Sequence, residues 1–220
     1  MNNIVKKIAY LVLLLMTSTI SLTSGMVVAS EQEAAPVPVP VFRNAMTGVE
    51  IDFSFGKKGE DTEATKHFMI TGENIYNQDE DVIRVGADLY MTACSGCHGH
   101  YVEGKIGPAL GDSYWTYPLG KKDKGLFEIV YDGARAMMGP QRNQLTIDEM
   151  LQVMSYIRSV YWDKPEDALW LSEEQRATLV PAEMPADFRE ALENAARDKA
   201  VREALDKAES DKVALENATQ

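Results

Sequence analysis

Five residues, Cys94-Ser95-Gly96-Cys97-His98, limit what this chain can fold into more than any other stretch. Two thiols three positions apart can each form a thioether to a vinyl group of one haem, and the histidine that follows is then placed under the iron. A C-x-x-C-H run is accordingly read as a c-type haem attachment site. The alternatives are a redox disulfide or half of a zinc site. Zinc wants a second pair of Cys/His ligands, but the chain has only these two cysteines, and only His67 and His100 besides His98. A thioredoxin-like motif needs a βαβ context, which the flanking sequence does not supply.

The N-terminus agrees with an exported haem protein. Lys6 and Lys7 precede a short apolar run over 8–16, and Val27-Val28-Ala29 supplies small residues for cleavage after Ala29. This is the pattern of a secretory signal peptide over 1–29, since the run is too short to span a bilayer comfortably. An uncleaved anchor is the alternative. No later stretch is long and apolar enough for a membrane span, so the mature protein is expected to insert into no membrane. Roughly 190 residues remain, enough for one domain with appendages. The 22 basic and 34 acidic residues become 20 and 34 once Lys6 and Lys7 are removed, a net charge of −14. Such a surface disfavours nucleic acid and favours a basic protein partner.

After the leader, Pro36, Pro38 and Pro40 alternate with valines, which predicts an extended arm. Residues 49–55 alternate apolar and polar, the pattern of a short strand or of an extended segment lying on the core. A helix is expected over 62–70, capped by Asp61 or Thr62 and stopped at Gly72. The next, over 81–93, runs into the cysteine motif with Val82, Val85, Leu89, Tyr90 and Ala93 as its apolar face. Gly86 within it is costly unless another helix crosses closely there. Residues 148–161 supply the partner: Thr146 caps them, Met150, Leu151, Val153, Met154 and Ile157 form a stripe, and Tyr156 can pack on the Gly86 to Tyr90 face. Between the two helices, residues 99–145 are rich in Gly, Pro and aromatics, with one short helix over 125–131. So long a loop is unusual in a compact domain, and a flat apolar cofactor would supply the core it lacks. Beyond Pro185 the composition turns to Ala, Glu, Lys, Arg and Asp, the mark of a solvated helix or a disordered tail.

A haem with both axial positions filled moves electrons, whereas one with a vacant position binds small molecules or catalyses. The residue opposite His98 therefore decides between a carrier and a haem enzyme or ligand sensor. His100 lies on the same side of the ring as His98, and His67 reads as a surface or packing residue. Met137-Met138-Gly139-Pro140 is better placed, following the loop around the haem edge, and Met138 directly precedes the Gly-Pro turn that would hold it. Thioether with imidazole is the usual cytochrome c arrangement. Gly107-Pro108-Ala109-Leu110 would form a shelf behind His98, the Pro108 carbonyl accepting the Nδ1 proton. In Tyr114-Trp115-Thr116-Tyr117, the polar tips of Trp115 and Tyr117 could bond the haem propionates, or the rings could serve as ordinary core.

The chain resembles the cytochrome c-L family over residues 48–180. The likeness is carried by Asp61-Thr62-Glu63-Ala64, Thr71-Gly72, Cys94-Ser95-Gly96-Cys97-His98-Gly99-His100-Tyr101, Glu103-Gly104-Lys105-Ile106-Gly107-Pro108, Tyr114-Trp115-Thr116-Tyr117-Pro118, Gly125-Leu126-Phe127-Glu128, Met138-Gly139-Pro140 and Leu145-Thr146-Ile147-Asp148-Glu149-Met150-Leu151. The Tyr-Trp-Thr-Tyr-Pro run and the haem-flanking run are specific. The resemblance implies an all-α, class I cytochrome c-like fold wrapped round one haem c. Cys94 and Cys97 would tether it, with His98 and Met138 as axial ligands. It implies a periplasmic electron carrier, not an enzyme, that takes single electrons from quinone-dependent methanol dehydrogenase and passes them to a downstream cytochrome c. A carrier for another periplasmic dehydrogenase is the neighbouring reading. Some family members hold calcium near the haem, and the resemblance assigns no ligands for it here. The expected organisation is a leader over 1–29, an N-terminal extension over 30–80, a haem domain over 81–163, an arm over 164–185 and a charged tail over 186–220. An acidic face around the haem edge would steer a basic docking patch on the dehydrogenase.

Overall fold

The computed structural model describes residues 39–135 and 137–218, all within the second of the two units, Pro38–Gln220, into which the chain divides. The expected leader, and Pro36 and Pro38 of the extended arm, lie outside the described residues. Among the described residues seven helices are formed: α1 (Glu63–Thr71), α2 (Glu80–Ala93), α3 (Ser95–His98), α4 (Asp123–Asp132), α5 (Ile147–Ser159), α6 (Glu173–Thr178) and α7 (Ala186–Ala218). Single 3₁₀ turns at Ile75–Gln78, Pro118–Lys121, Gln141–Asn143 and Pro165–Asp167 join them. Among the described residues there is no strand, only an isolated bridge between Arg43 and Glu50. The fold is all-α.

Local chemistry sets the helix starts. The Thr62 hydroxyl accepts from the Thr65 amide and opens α1, while Gly72, at φ 75°, closes it in the left-handed region that glycine enters without strain. The Asp79 carboxylate accepts the Asp81 and Val82 amides ahead of α2. Thr146 and Glu149 exchange side chain and backbone bonds in a full capping box ahead of α5.

Helices α2 and α5 cross at Gly86, where a methyl group would overlap the Gln152 carbonyl. The crossing continues into an aromatic pair, Tyr90 and Tyr156, with ring centroids 5.0 Å apart. Phe42, Phe68 and Phe127 pack beside it, and Met150, Leu151, Val153 and Met154 are fully buried. Each such side chain contributes about 1.5–3 kcal/mol by leaving water.

One expectation needs correction. Val85 does not lie on the apolar face of α2 but is 46% exposed. Because contact is closest at Gly86, the buried stripe centres there, and Ile83, Ala87, Leu89, Tyr90 and Ala93 carry it. For residues 49–55 the second of the two alternatives holds: not a strand but an extended segment lying on the core. Ile51 and Phe53 turn onto the core, the Ile51 amide donates to the Phe42 carbonyl at 3.0 Å, and a Tyr131 hydroxyl bond to the Phe55 carbonyl ends the segment. Past Pro185, the tail is helical as α7, with Val201 and Leu205 exposed.

Candidate haem-binding site

The cysteine motif occupies the end of α2 and the single turn of α3. Cys94 caps that turn, and the His98 amide donates back to the Cys94 carbonyl at 3.0 Å. The chain then folds under the motif. The Lys105 and Gly107 amides both donate to the Cys97 carbonyl, at 3.1 and 2.9 Å, and the Gly104 amide donates to the His98 carbonyl at 2.7 Å. Two hydroxyls from the helix crossing hold the loop from behind. Tyr90 donates to the Gly99 carbonyl at 2.8 Å and Tyr156 to the His100 carbonyl at 3.0 Å.

This folding brings Pro108 beneath the imidazole. His98 Nδ1 lies 2.9 Å from the Pro108 carbonyl oxygen. A carbonyl can only accept, so Nδ1 carries the proton and Nε2 keeps its lone pair for a metal. Gly107 makes the approach possible, since a methyl group there would come within 2.7 Å of the ring's Cε1. Val102, within the same loop, has φ 58°, an outlier for a β-branched residue. Its side chain is fully buried, and its carbonyl accepts the Leu110 amide at 2.8 Å.

The opposite wall comes from α4, α5 and the loop after Gly133. Gly133, at φ 82°, leaves room for the Met138 carbonyl, which accepts the Ala134 amide at 2.9 Å. Met137 and Met138 both border the cavity, but Met137 is 72% exposed while Met138 packs against the core. The Arg135 amide donates to the Tyr117 hydroxyl at 3.1 Å, tying this loop to the aromatic run. Leu126, Ile129, Val130, Val153 and Ile157 form the apolar floor.

Between the walls lies a cavity of about 780 Å³, within the size range of cofactor sites. Cys94, Cys97, His98, Pro108, Trp115, Tyr117 and Met138 all border it. His67 and His100 do not. His67 is half-buried on α1 and His100 is exposed. Burial pushes the Cys94 thiol up to about 11, the second thiol adding a smaller repulsion, so it is protonated at neutral pH, unlike the low-pKa thiol of a redox motif. Two thiols, one oriented imidazole, one thioether and a dry floor fit a covalently tethered haem.

The cavity itself is lined differently from the acidic chain as a whole. Its lining holds no Asp or Glu among the described residues, and Ile106, Tyr114 and Met137 stand exposed around it. Arg135 is the fixed charge there, a residue that sequence reasoning passed over. Its position two and three residues before the methionine pair was the available signal. Among the described residues no group of three or more His, Cys, Asp or Glu is arranged to hold a metal ion, and no helix is long and apolar enough to cross a membrane.

Residues 81–157, from α2 through most of α5, match the family model of cytochrome c oxidase, cbb3-type, subunit III. The chain is 48% identical over 153 residues to cytochrome c-L of Methylorubrum extorquens, covering 69% of this chain and 78% of that protein. It is similar to the crystal structure of cytochrome CL from the marine methylotroph Methylophaga aminisulfidivorans, with 61% identity and TM-score 0.66 over 67% of this chain and 99% of that one. Cytochrome cL from Hyphomicrobium denitrificans gives 44% identity and TM-score 0.61 over 73% and 96%.

Proposed function

The chain belongs to the cytochrome c-L family of c-type cytochromes, electron carriers rather than enzymes, and on that footing we propose that it accepts single electrons from quinone-dependent methanol dehydrogenase in the periplasm and passes them to a downstream cytochrome c. The observation that carries the proposal is the His98 imidazole, fixed by Pro108 beside two thiols, with the Met138 loop on the same cavity.

In this reading one haem c supplies a one-electron iron couple when bound. Cys94 and Cys97 tether it through thioethers. His98 offers Nε2, and the Pro108 carbonyl holds the Nδ1 proton and so the ring's orientation. Met138, on the same cavity, would supply a thioether sulfur to the iron, and a haem so held by His98 and Met138 would serve as an electron carrier. Trp115 and Tyr117 border the cavity with polar tips that suit the propionates, and the indole N–H of Trp115 makes no hydrogen bond to another described residue. The apolar floor excludes water.

Exchange with the partner then divides into two tasks. The acidic surface steers a basic enzyme from a distance, and the exposed Ile106, Tyr114 and Met137 make the contact. Redox encounters are small and transient because the carrier must leave after one electron. In the proposed organisation residues 81–163 form the haem domain, the described part of the N-terminal extension (39–80) and the arm over 164–185 wrap it, and 1–29 directs export.

Stopped-flow mixing with purified methanol dehydrogenase and methanol tests the proposal. Wild-type haem should be reduced rapidly, whereas Met138→Ala should lose the sulfur-to-iron absorption band and accept electrons more slowly. Wild-type haem left oxidised by methanol dehydrogenase but reduced by a different periplasmic dehydrogenase would reassign the partner.

A further inference from the structure

A buried guanidinium joins the cavity wall to the C-terminal arm. Arg158, on α5, has a side chain 2% exposed. Its Nε donates to Asp123 Oδ1 at 3.0 Å, and Nη2 donates to the Gly120 carbonyl at 2.9 Å. Asp123 is satisfied in turn by the Asn74 amide and the Asn77 side chain on its other oxygen. These contacts account for the charge of Arg158 but not for the two indoles against it. The Trp170 ring centroid lies 4.3 Å from the guanidinium carbon and the Trp115 centroid 5.4 Å.

The two indoles have different positions in the fold. Trp115 borders the haem cavity, and Gly120 packs so closely on it that a methyl group there would come within 2.5 Å of the ring. Trp170 belongs to the arm that follows the Pro165–Asp167 turn, where Tyr161 meets it edge-on with centroids 4.9 Å apart. A planar, weakly hydrated guanidinium is suited to holding aromatic faces while its edge is hydrogen-bonded. Removing Trp170 would leave both hydrogen bonds of Arg158 in place and strip its ring contacts with the guanidinium and with Tyr161. The guanidinium contact separates a coupling role from a purely structural ion pair.

We propose that Trp170 and Arg158 are positioning residues for the haem wall, the arm fixing the plane of Trp115 through the guanidinium and thereby tuning the haem's reduction potential. Hydrogen bonding and burial around a haem are levers on its potential, and a Trp115 free to tilt changes both. The inference rests on the haem reading of the cavity and adds to it a role for the C-terminal arm.

The test uses purified holoprotein as wild type, Trp170→Leu and Trp170→Phe. The readouts are a redox titration against a reference dye, Soret circular dichroism and thermal unfolding. Trp170→Leu should change the equilibrium constant for electron exchange with the dye by about 3-fold or more, roughly 28 mV for one electron, and should alter the Soret dichroism. Trp170→Phe, which keeps a ring over the guanidinium, should return both to wild-type values. Where Trp170→Leu does not accumulate, Trp170→Met, of about leucine's volume but unbranched and flexible enough to fill the site, also lacks the aromatic face and is expected to behave as the leucine variant. Wild-type potential and dichroism in the non-aromatic variant, even with lowered thermal stability, overturn the inference and leave Trp170 a packing residue. A wild-type protein with no Soret band overturns the haem reading itself, and is recognised before any variant is made.

Discussion

Where α2 crosses α5, side chains meet backbone with no space between them, and a single added methyl group at Gly86 would collide with the Gln152 carbonyl. Along 99–117 and 133–144 the contacts are instead amide to carbonyl bonds strung around a cavity of about 780 Å³. The first region is completed by its own packing. The second holds its shape as a rim around that cavity. Among the described residues the two are tied by the hydroxyls of Tyr90 and Tyr156, and by the guanidinium of Arg158 over the Trp115 ring.

The largest effect should come from cutting the strongest tie. Arg158→Met leaves Asp123 buried without its cation and should cost about 3–5 kcal/mol, read from urea unfolding of the holoprotein. A cost near zero would mean that frame and wall do not depend on this pair. Next, Gly86→Ala should destabilise by about 2–3 kcal/mol through overpacking. Gly139→Ala in the wall, where nothing lies within 4 Å of the added carbon, should stay within about 0.5 kcal/mol. Equal costs at the two glycines would erase the contrast. Tyr90→Phe and Tyr156→Phe each remove one hydroxyl bond to the loop and should cost about 1 kcal/mol, measured by thermal unfolding.

The smallest effect is one of pH. The Ser113 hydroxyl bond holds the Asp163 carboxyl below its ordinary value, with burial opposing and the Ser113 and Lys164 amides assisting. A carboxyl lowered in the folded state adds stability above its unfolded value of about 3.9 and loses it as pH falls through the lower folded value. Asp163→Asn should therefore narrow the difference in urea midpoint between about pH 5 and about pH 3. An unchanged difference would remove Asp163 from the acid sensitivity of the wall.

The frame was legible because its signals are local. Thr62, Gly72, Thr146 and the apolar period of α5 lie within a turn of what they determine, and Gly86 in a helical pattern demands a close neighbour. On α2 the expected Leu89, Tyr90 and Ala93 do meet the core, while Val82 and Val85 at its first half give way to Ile83 and Ala87, because period alone does not say which neighbouring position faces the crossing. The wall was legible as residue types around a motif but not as partnerships. Arg135 with Tyr117, Tyr156 with His100, and Trp170 with Arg158 join residues 18, 56 and 12 positions apart, and no period links them. The alternation over 49–55 suggested a strand, yet one bridge to Glu50 is too little pairing to make one.

The bare α-carbon at Gly107 has a consequence for mutational drift. The imidazole edge lies so near that the smallest possible side chain would strike it at 2.7 Å, and no replacement is smaller than a methyl group. Any lineage that keeps the His98 ring against this loop must therefore keep a bare α-carbon at position 107.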